Sequence, residues 1–341
     1  MGRPQKVLSL LKAVSRSFYL TLRVLPGEVR PQIGLAYLLA RTTDTIADTE
    51  LVPVEQRLQS LQELRERILG QRHTRLDFGA LARKQASPAE QTLLERCEDS
   101  LALLQTLSRA DRDLVLEVLQ TITSGQELDL RRFAGASAAS VVALRTDDEL
   151  DDYTYRVAGC VGEFWTRLCR AHLFPQTPLD EARLLADGVR FGKGLQLVNI
   201  LRDLPTDLRQ GRCYLPAERL AALGLKPADL LDPACEARLR PLYDACLDRA
   251  GAHLLAGWAY TNALPRRCVR VRLACSWPIL IGQETLRLLR TRNVLDPGHR
   301  IKVGRRRVRQ LMLRSVLLYP WAGAWEKLGS NTPRPQEQPS P

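Results

Sequence analysis

The sequence predicts an all-α protein, and three observations support that fold class. Of the 341 residues, 45% are hydrophobic, which is enough to bury one large core or two smaller ones. The apolar residues are mainly Leu and Ala, whereas the runs of Val, Ile and aromatic residues that are typical of strands are scarce. Proline stands where helices should begin or end, as at Pro26 and Pro31.

Taken in order, the chain reads as a succession of helices. After a first helix over residues 7–25, Pro31 opens a second one at a first-turn position. Further helices are predicted at about residues 54–69, 88–107, 111–127, 153–172, 234–264, 269–290 and 305–318. No internal repeat or linker is apparent, so one domain is predicted over residues 1–328. The Pro-rich segment 329–341 is predicted to be disordered.

Charge and cysteine content exclude several classes of function. The formal net charge of +12 suits a phosphorylated substrate or an anionic surface, but no nucleic-acid-binding module has its signature here. Eight Cys without a C-x-x-C pair and four scattered His argue against a zinc site and favour reduced thiols in a cytoplasmic protein. No signal peptide and no membrane-spanning run is expected.

One stretch, residues 195–216, carries three oxygen-bearing side chains at a spacing of four. Since four residues are about one helical turn, Asn199 and Asp203 should lie on one face of a helix. Pro205 is predicted to end or kink that helix at about Leu204, which places Asp207 in the exit turn. Hard oxygen ligands of this kind suit Mg²⁺ better than Zn²⁺.

A second carboxylate pair, Asp44 and Asp48, repeats the same spacing, with Arg41 about one turn before Asp44. One such pair alone is weak evidence, because most are solvated faces of helices. Two pairs, both within apolar helices and both accompanied by Arg, favour a metal role. The two helices would then face each other and hold Mg²⁺ with a substrate diphosphate between them.

Two other segments have a structural interpretation. The acidic run 147–152 is interpreted as the N-terminal turn of the next helix, where carboxylates favour the positive end of the helix dipole. Within that helix, Ala158, Gly159 and Gly162 are small and lie on adjacent positions of one side. They would allow close approach of another backbone or of an isoprenoid tail.

Over roughly residues 10–310, these motifs resemble the trans-isoprenyl diphosphate synthases that join two prenyl diphosphates head to head, the squalene and phytoene synthases. The matching motifs are SRSFYL, ARTTDTIAD, YTYRVAGCVGE and QLVNILRDLPTDLRQGRCYLP. The resemblance implies an isoprenoid-synthase helical bundle with a central active-site cavity, a Mg²⁺ cofactor and a farnesyl or geranylgeranyl diphosphate substrate. A monomer is expected. The first Asp pair is closer to that of squalene synthases.

The resemblance also implies a set of site residues. The expected metal ligands are Asp44, Asp48, Asn199, Asp203 and Asp207. The expected substrate-binding residues are Ser15, Arg16, Phe18, Arg41, Gln196, Arg202 and Arg212, where the arginines bind diphosphate oxygens by fork-shaped hydrogen bonds. Tyr155 is the expected catalytic aromatic, facing the allylic cation or taking its proton. Thr206 stands where the family usually has an acidic residue.

The basic stretch 301–307 is similar to the one that holds NADPH in squalene synthases, which implies that Lys302 and Arg305 bind that cofactor. Its alternatives are a solvated helix start or a peripheral contact with the anionic inner face of a membrane. The predicted function is condensation of two farnesyl diphosphates through presqualene diphosphate to squalene. The alternatives are a phytoene or dehydrosqualene synthase without a reductive step, a class I terpene cyclase, and a non-catalytic helical protein on a membrane surface.

Overall fold

The structure is a computed structural model and describes residues 10–15, 18–298 and 301–330. Residues 10–14 are helical. The α-helices that follow are α1 (Phe18–Val24), α2 (Arg30–Ala47), α3 (Val54–Ile68), α4 (Gly79–Ala82), α5 (Pro88–Glu95), α6 (Cys97–Leu104), α7 (Arg109–Arg132), α8 (Asp147–Thr154), α9 (Cys160–Leu173), α10 (Glu181–Arg209), α11 (Ala217–Ala222), α12 (Glu236–Ala263), α13 (Val269–Arg290), α14 (Arg305–Leu318) and α15 (Ala322–Gly329). The all-α prediction is confirmed.

Strands are confined, within the described residues, to one parallel pair, β1 (Val142–Ala143) and β2 (Arg212–Cys213). A π-helical segment, Tyr155–Gly159, separates α8 from α9. Two short 3-10 turns, Pro227–Leu231 and Pro233–Cys235, precede α12. None of the described helices is long and apolar enough to cross a membrane.

The chain forms two compact units, and each has its own core. The first unit comprises the described residues up to Ala134 together with Cys160–Pro178, and the second comprises Gly135–Gly159 and the described residues from Leu179 onward. The prediction of a single domain over residues 1–328 stays a prediction.

In the first unit, α2 is the central helix and packs against α3, α5, α6 and α7. Its side chains at Leu38, Leu39 and Ile46 are fully buried, which is typical of a helix that is apolar on more than one side. Thr42 is also buried, and its hydroxyl donates to the Leu38 carbonyl oxygen at 2.8 Å. This bond removes the cost of burying a hydroxyl without a partner.

In the second unit, α10 and α12 form the most extensive helix pair, and α13 packs against both. Glycines bring the backbones together, because a Cβ on Gly257 would lie 2.8 Å from the Phe191 ring and one on Gly194 would lie 2.9 Å from the His253 Cβ. At the C-terminal end, α14 and α15 pack against α13.

The bounds of α13 and α14 are those that the sequence predicts. The bounds of two other predicted helices are wrong. The helix predicted over residues 88–107 is interrupted at Arg96, whose φ of −105° and ψ of 19° leave the helical region. The helix predicted over 111–127 continues to Arg132.

The first residue of segment 329–341, which the sequence predicts to be disordered, belongs to a helix. Gly329 is the last residue of α15 and is buried, and its carbonyl oxygen accepts a hydrogen bond from Gln283 at 2.7 Å. A side chain there would clash with Trp258, since a Cβ would lie 2.1 Å from that ring. Residues 331–341 lie outside the described residues.

Candidate active site

The first predicted carboxylate pair lies at the C-terminal end of α2. The Asp48 backbone N–H caps the helix by donating to the Asp44 carbonyl oxygen at 2.9 Å, and the Asp48 side chain is exposed. Arg41 forms an ion pair with Asp44, one turn along the helix, and a second ion pair with Glu90 of α5. One guanidinium is therefore shared between two carboxylates.

The pKa of Asp44 lies above its ordinary value. Burial by the surrounding protein raises the pKa of Asp44; Arg41 opposes that shift and Glu90 adds to it. About 40% of the side-chain surface stays exposed, so solvent still reaches the carboxylate. Although burial lowers the pKa of Arg41, Asp44 and Glu90 raise it above its usual value. A divalent cation at Asp44 would compete with both the proton and Arg41.

The second predicted set lies on α10, where Asn199, Asp203 and Asp207 share one face. The residues between them on the opposite face, including Leu201, Leu204 and Leu208, are buried. Arg202 holds Asp203 through two hydrogen bonds, with its Nε lying 2.9 Å from one carboxylate oxygen. That bonding is the main reason why the pKa of Arg202 is raised. Asn199 is exposed, and its amide lies 3.5 Å from the Gln196 side-chain oxygen.

Pro205 does not end α10, so of the predicted end or kink the end is wrong, and Asp207 is a helical residue rather than part of an exit turn. A proline has no N–H to bond the carbonyl four residues earlier, which here is that of Leu201. The buried Tyr243 of α12 replaces the missing donor, since its hydroxyl donates to the Leu201 carbonyl oxygen at 2.8 Å. With that carbonyl satisfied, the helix continues through the proline to Arg209.

Tyr155, the predicted catalytic aromatic, begins the π-helical segment that lies against α10. Here α10 lies directly against the backbone of the π-helical segment. A Cβ on Gly192 would lie 2.1 Å from the Ala158 carbonyl oxygen and 3.0 Å from the Gly159 Cα. The small residues 158 and 159 were predicted to allow close approach of another backbone or of an isoprenoid tail. The structure shows the first of these, the backbone of α10. Isolated π-helical turns of this kind often occur at functional sites.

Lys193 connects this segment to the acidic run. Its ammonium nitrogen lies 2.6 Å from an Asp151 carboxylate oxygen and 5.8 Å from the centre of the Tyr155 ring, within the range of a cation–π contact. Although burial raises the pKa of Asp151, Lys193 and Arg249 lower it below its usual value. Lys193 and Asp151 together therefore help to fix the position of the Tyr155 ring.

The acidic run begins α8, as predicted. The Thr146 side chain caps the helix by accepting a hydrogen bond from the Glu149 N–H at 3.3 Å. Arg249 of α12 holds two of the carboxylates, lying 3.2 Å from Asp147 and 3.1 Å from Asp151. The sequence did not predict Lys193 or Arg249 as partners, since both lie more than forty residues from Asp151.

The remaining predicted residues are distributed as follows. Ser15 is buried and donates to the Leu11 carbonyl oxygen, while Arg212 is half-buried in β2. Lys302 and Arg305 are exposed next to the start of α14, and neither has an acidic partner in the part of the chain that the structure describes. Arg16 and the side chain of Phe18 lie outside the described residues.

The donor groups on both helices fit Mg²⁺. Among residues 10–15, 18–298 and 301–330, no group of three or more His, Cys, Asp or Glu side chains is arranged to hold a metal by itself. Each helix instead offers accessible carboxylate oxygens, with an amide added on α10. Such a partial set suits an ion whose other ligands are waters and substrate oxygens. Two exposed, unpaired cations at Lys302 and Arg305 likewise fit a phosphate group of a nucleotide.

Sequence comparisons give a consistent family. The family model described as squalene/phytoene synthase matches residues 11–307. A presqualene diphosphate synthase from Rhodopseudomonas palustris is 30% identical over 298 residues, which cover 86% of this chain and 90% of that protein.

Solved structures share the fold. A structure described as TcSQS with the ligand E5700 has a TM-score of 0.75 and 22% identity, covering 96% of both chains. A dehydrosqualene synthase with a bound ligand has a TM-score of 0.67 and 22% identity, covering 94% of this chain and 97% of the other. At these identities, the structures establish an isoprenoid-synthase type of fold.

Proposed function

Because the chain belongs to the squalene/phytoene synthase family, we propose that it joins two farnesyl diphosphates head to head through presqualene diphosphate to squalene. The observation that carries the proposal is the repeated pairing of an Asp with an Arg, Asp44 with Arg41 on α2 and Asp203 with Arg202 on α10. Each pair combines a ligand for a divalent cation with a fork-shaped donor for diphosphate oxygens. A carboxylate together with a guanidinium matches a metal-bound diphosphate better than either group alone.

The proposed metal-binding residues are Asp44, Asp48, Asn199, Asp203 and Asp207. When bound, Mg²⁺ neutralises the substrate diphosphate and makes it a better leaving group. The Arg41–Asp44 and Arg202–Asp203 ion pairs also have a role in substrate binding. Arg41 and Arg202 compensate the carboxylate charges without substrate, and each guanidinium would bind diphosphate oxygens when substrate is present.

Loss of the diphosphate leaves an allylic cation, which the double bond of the second farnesyl chain attacks. A cyclopropane ring forms with loss of one proton, and the products are presqualene diphosphate, diphosphate and that proton. We assign Tyr155 to the stabilisation of the cation or to acceptance of the proton, with the released diphosphate as the alternative base. The Gly192 approach and Lys193 hold the segment that carries Tyr155 in place.

The reductive step consumes presqualene diphosphate. NADPH, if bound, would supply the hydride that replaces the second diphosphate and gives squalene. We assign the nucleotide phosphate to Lys302 and Arg305, whose exposure and lack of acidic partners in the described chain support the assignment.

A second candidate is an enzyme that stops at presqualene diphosphate. The observation that favours it is the similarity to the presqualene diphosphate synthase of Rhodopseudomonas palustris, over most of both chains. In that case the reduction belongs to another enzyme, and Lys302 and Arg305 have no nucleotide to bind.

One experiment separates these candidates. The purified protein is incubated with farnesyl diphosphate and Mg²⁺, with and without NADPH, and its products are identified by mass spectrometry. Squalene that appears only with NADPH supports the full reaction, whereas presqualene diphosphate under both conditions supports the shorter one. Dehydrosqualene without NADPH, phytoene formed only from geranylgeranyl diphosphate, or a cyclic C15 hydrocarbon would each contradict the proposal.

A further inference from the structure

The outward face of α14 combines exposed apolar side chains with arginines. Leu313, Val316 and Leu317 are 61%, 47% and 58% exposed, and Trp321 just beyond the helix is 64% exposed. Ser315, on the opposite face, is buried and accepts a hydrogen bond from Trp277 of α13 at 3.0 Å. The helix is thus fixed to its own unit by one face and presents the other to the surroundings.

The charges on α14 have one sign. The helix contains five arginines and no acidic residue. Arg307 is paired with Glu284 of α13, at 3.4 Å. The other four, Arg305, Arg306, Arg309 and Arg314, are exposed and have no carboxylate partner within the described chain.

The basic and the apolar side chains lie on the same face of α14, one group after the other along the helix axis. At 100° per residue, Arg306, Arg309, Leu313 and Leu317 fall within about 80° of each other around the helix axis. Arg306 and Leu317 are about 16 Å apart along that axis. The basic residues occupy the first half of this face, and the apolar residues with Trp321 occupy the second half.

We propose that this face of α14, with Trp321, binds the surface of an anionic lipid bilayer. Lipid phosphates would pair with Arg306 and Arg309, while Leu313, Leu317 and Trp321 enter the boundary between headgroups and acyl chains. A helix that lies in the interface in this way buries one apolar side and gains about 1 kcal/mol for each basic residue near the surface. Tryptophan suits that depth, because its ring is apolar and its N–H is polar.

Two other occupants fit this face less well. A second copy would bring its own four unpaired arginines against these four, on a chain that already carries a net charge of +12. A nucleic acid would satisfy the arginines but would leave Leu313, Leu317 and Trp321 exposed to water. Of these three occupants, the bilayer alone offers acidic headgroups and apolar chains side by side.

The test measures binding to vesicles of phosphatidylcholine with and without 30% phosphatidylglycerol, by co-sedimentation at several salt concentrations. The wild-type chain is expected to prefer the anionic vesicles. Reversal of two charges in Arg306→Glu with Arg309→Glu should weaken binding at least about 25-fold and flatten its salt dependence. Leu313→Ser with Leu317→Ser should weaken binding about tenfold and leave the salt dependence unchanged.

Matched controls lie in the first unit. Leu51 is 73% exposed, and Arg83 with Lys84 forms an exposed basic pair. Leu51→Ser and Arg83→Glu with Lys84→Glu should leave binding to anionic vesicles within about twofold of wild type. All variants alter exposed side chains, and circular dichroism is used to check that they fold.

Three outcomes would overturn the proposal. One is equal binding to vesicles with and without phosphatidylglycerol, and another is an α14 variant no weaker than its control. The third is concentration-dependent dimerisation, seen by analytical ultracentrifugation, that Leu313→Ser with Leu317→Ser abolishes, since it would make a second copy the occupant. Diphosphate release assayed in detergent is expected to be the same for wild type and these variants, so failure here is distinct from failure of the proposed enzyme function.

Discussion

Helices α2 and α10 both present oxygen ligands at a spacing of four, but they stabilise those ligands in different ways. On α2, burial raises the pKa of Asp44, and Arg41 divides its charge between Asp44 and Glu90. On α10, Arg202 is committed to Asp203 through two hydrogen bonds. The first helix ends at its carboxylates, whereas the second continues past Asp203 through Pro205 and includes Asp207.

The same four-residue spacing of oxygen-bearing side chains therefore occurs in two different electrostatic environments. A carboxylate whose pKa is raised by burial gains more from a cation, because the metal replaces an unfavourable environment. A carboxylate that already has a guanidinium fork must exchange one strong partner for another. We therefore expect the contribution of Asp44 to activity to depend more strongly on pH. The contribution of Asp203 should depend more strongly on the contacts that support α10.

The largest expected effect comes from removing the ligands. Asp44→Asn and Asp203→Asn should each lower kcat for diphosphate release by at least about a thousandfold, because each removes a ligand charge from a metal-bound diphosphate. The measurement is steady-state kinetics with farnesyl diphosphate at saturating Mg²⁺. Asp187→Asn, on α10 but on its other side, and Asp113→Asn on α7 are the controls. A near-wild-type rate in either variant would show that the substituted Asp is not a metal ligand. The comparison of α2 with α10 as two metal-binding helices would then be wrong.

A second effect tests the approach of α10 to the segment that carries Tyr155. Gly192→Ala would place a Cβ 2.1 Å from the Ala158 carbonyl oxygen, so a backbone must move. We expect the free energy of unfolding to fall by about 1–3 kcal/mol and kcat to fall with it. Gly323→Ala on α15, where no atom lies within 4 Å, should instead be neutral or stabilising. Equal behaviour of the two variants in denaturant titrations would mean that α10 does not constrain Tyr155.

The third prediction concerns the proline in α10. Tyr243→Phe should lower the free energy of unfolding by about 1–3 kcal/mol, since it leaves the buried Leu201 carbonyl without a donor. Pro205→Ala restores a backbone N–H at that position, so the two changes should be strongly coupled. In a double-mutant cycle, Tyr243→Phe should cost less in the Pro205→Ala background. Additive effects would show that the tyrosine hydroxyl does not compensate for the proline.

Local periodicity predicted much of this site. The same-face placement of Asn199 and Asp203, the proximity of Arg41 to Asp44 and the start of α8 at the acidic run depend only on helical spacing and capping. The bounds of α13 and α14 were predicted for the same reason. These features involve residues within one or two turns of each other.

The features that sequence reasoning missed depend on partners that are distant in the chain. Tyr243 lies 42 residues from Leu201, and Lys193 lies 42 residues from Asp151. Which distant side chain meets a given group is decided by the packing of α10 against α12 and against the π-helical segment. Pro205 was therefore interpreted as a helix end, because the donor that compensates for it is on another helix.

A smaller effect contrasts the histidines of the two units. In the first unit, His172 bonds Asp111 at 2.6 Å, whereas His253 beside α10 faces Arg190, Arg249 and Lys193, with Asp151 as the nearby carboxylate. Burial and those cations lower the pKa of His253 to about 4. The unfolded chain then binds a proton that the folded chain does not, so stability should fall as the pH decreases from about 6.5 to about 4.

After allowance for the solvent that reaches His253, we expect this loss to be on the order of 1–2 kcal/mol. His253→Gln should remove that part of the pH dependence in urea titrations between pH 7 and 4. His73→Gln, at an exposed position of the first unit, is the control and should retain it. An unchanged slope for His253→Gln would assign the acid sensitivity to other groups.

The smallest expected effect sharpens the electrostatic difference between the two helices. Glu90 raises the pKa of Asp44 and competes with it for Arg41. Glu90→Gln should therefore lower the pKa of Asp44 and leave more of its ligating form at acidic pH. The acidic limb of the profile of log kcat/KM against pH should move to lower pH, with a gain of about two- to fivefold on that limb. Glu95→Gln, an exposed neighbour on α5, should leave the profile unchanged. A profile that did not move would mean that Asp44 is not the group whose ionisation limits the reaction at low pH.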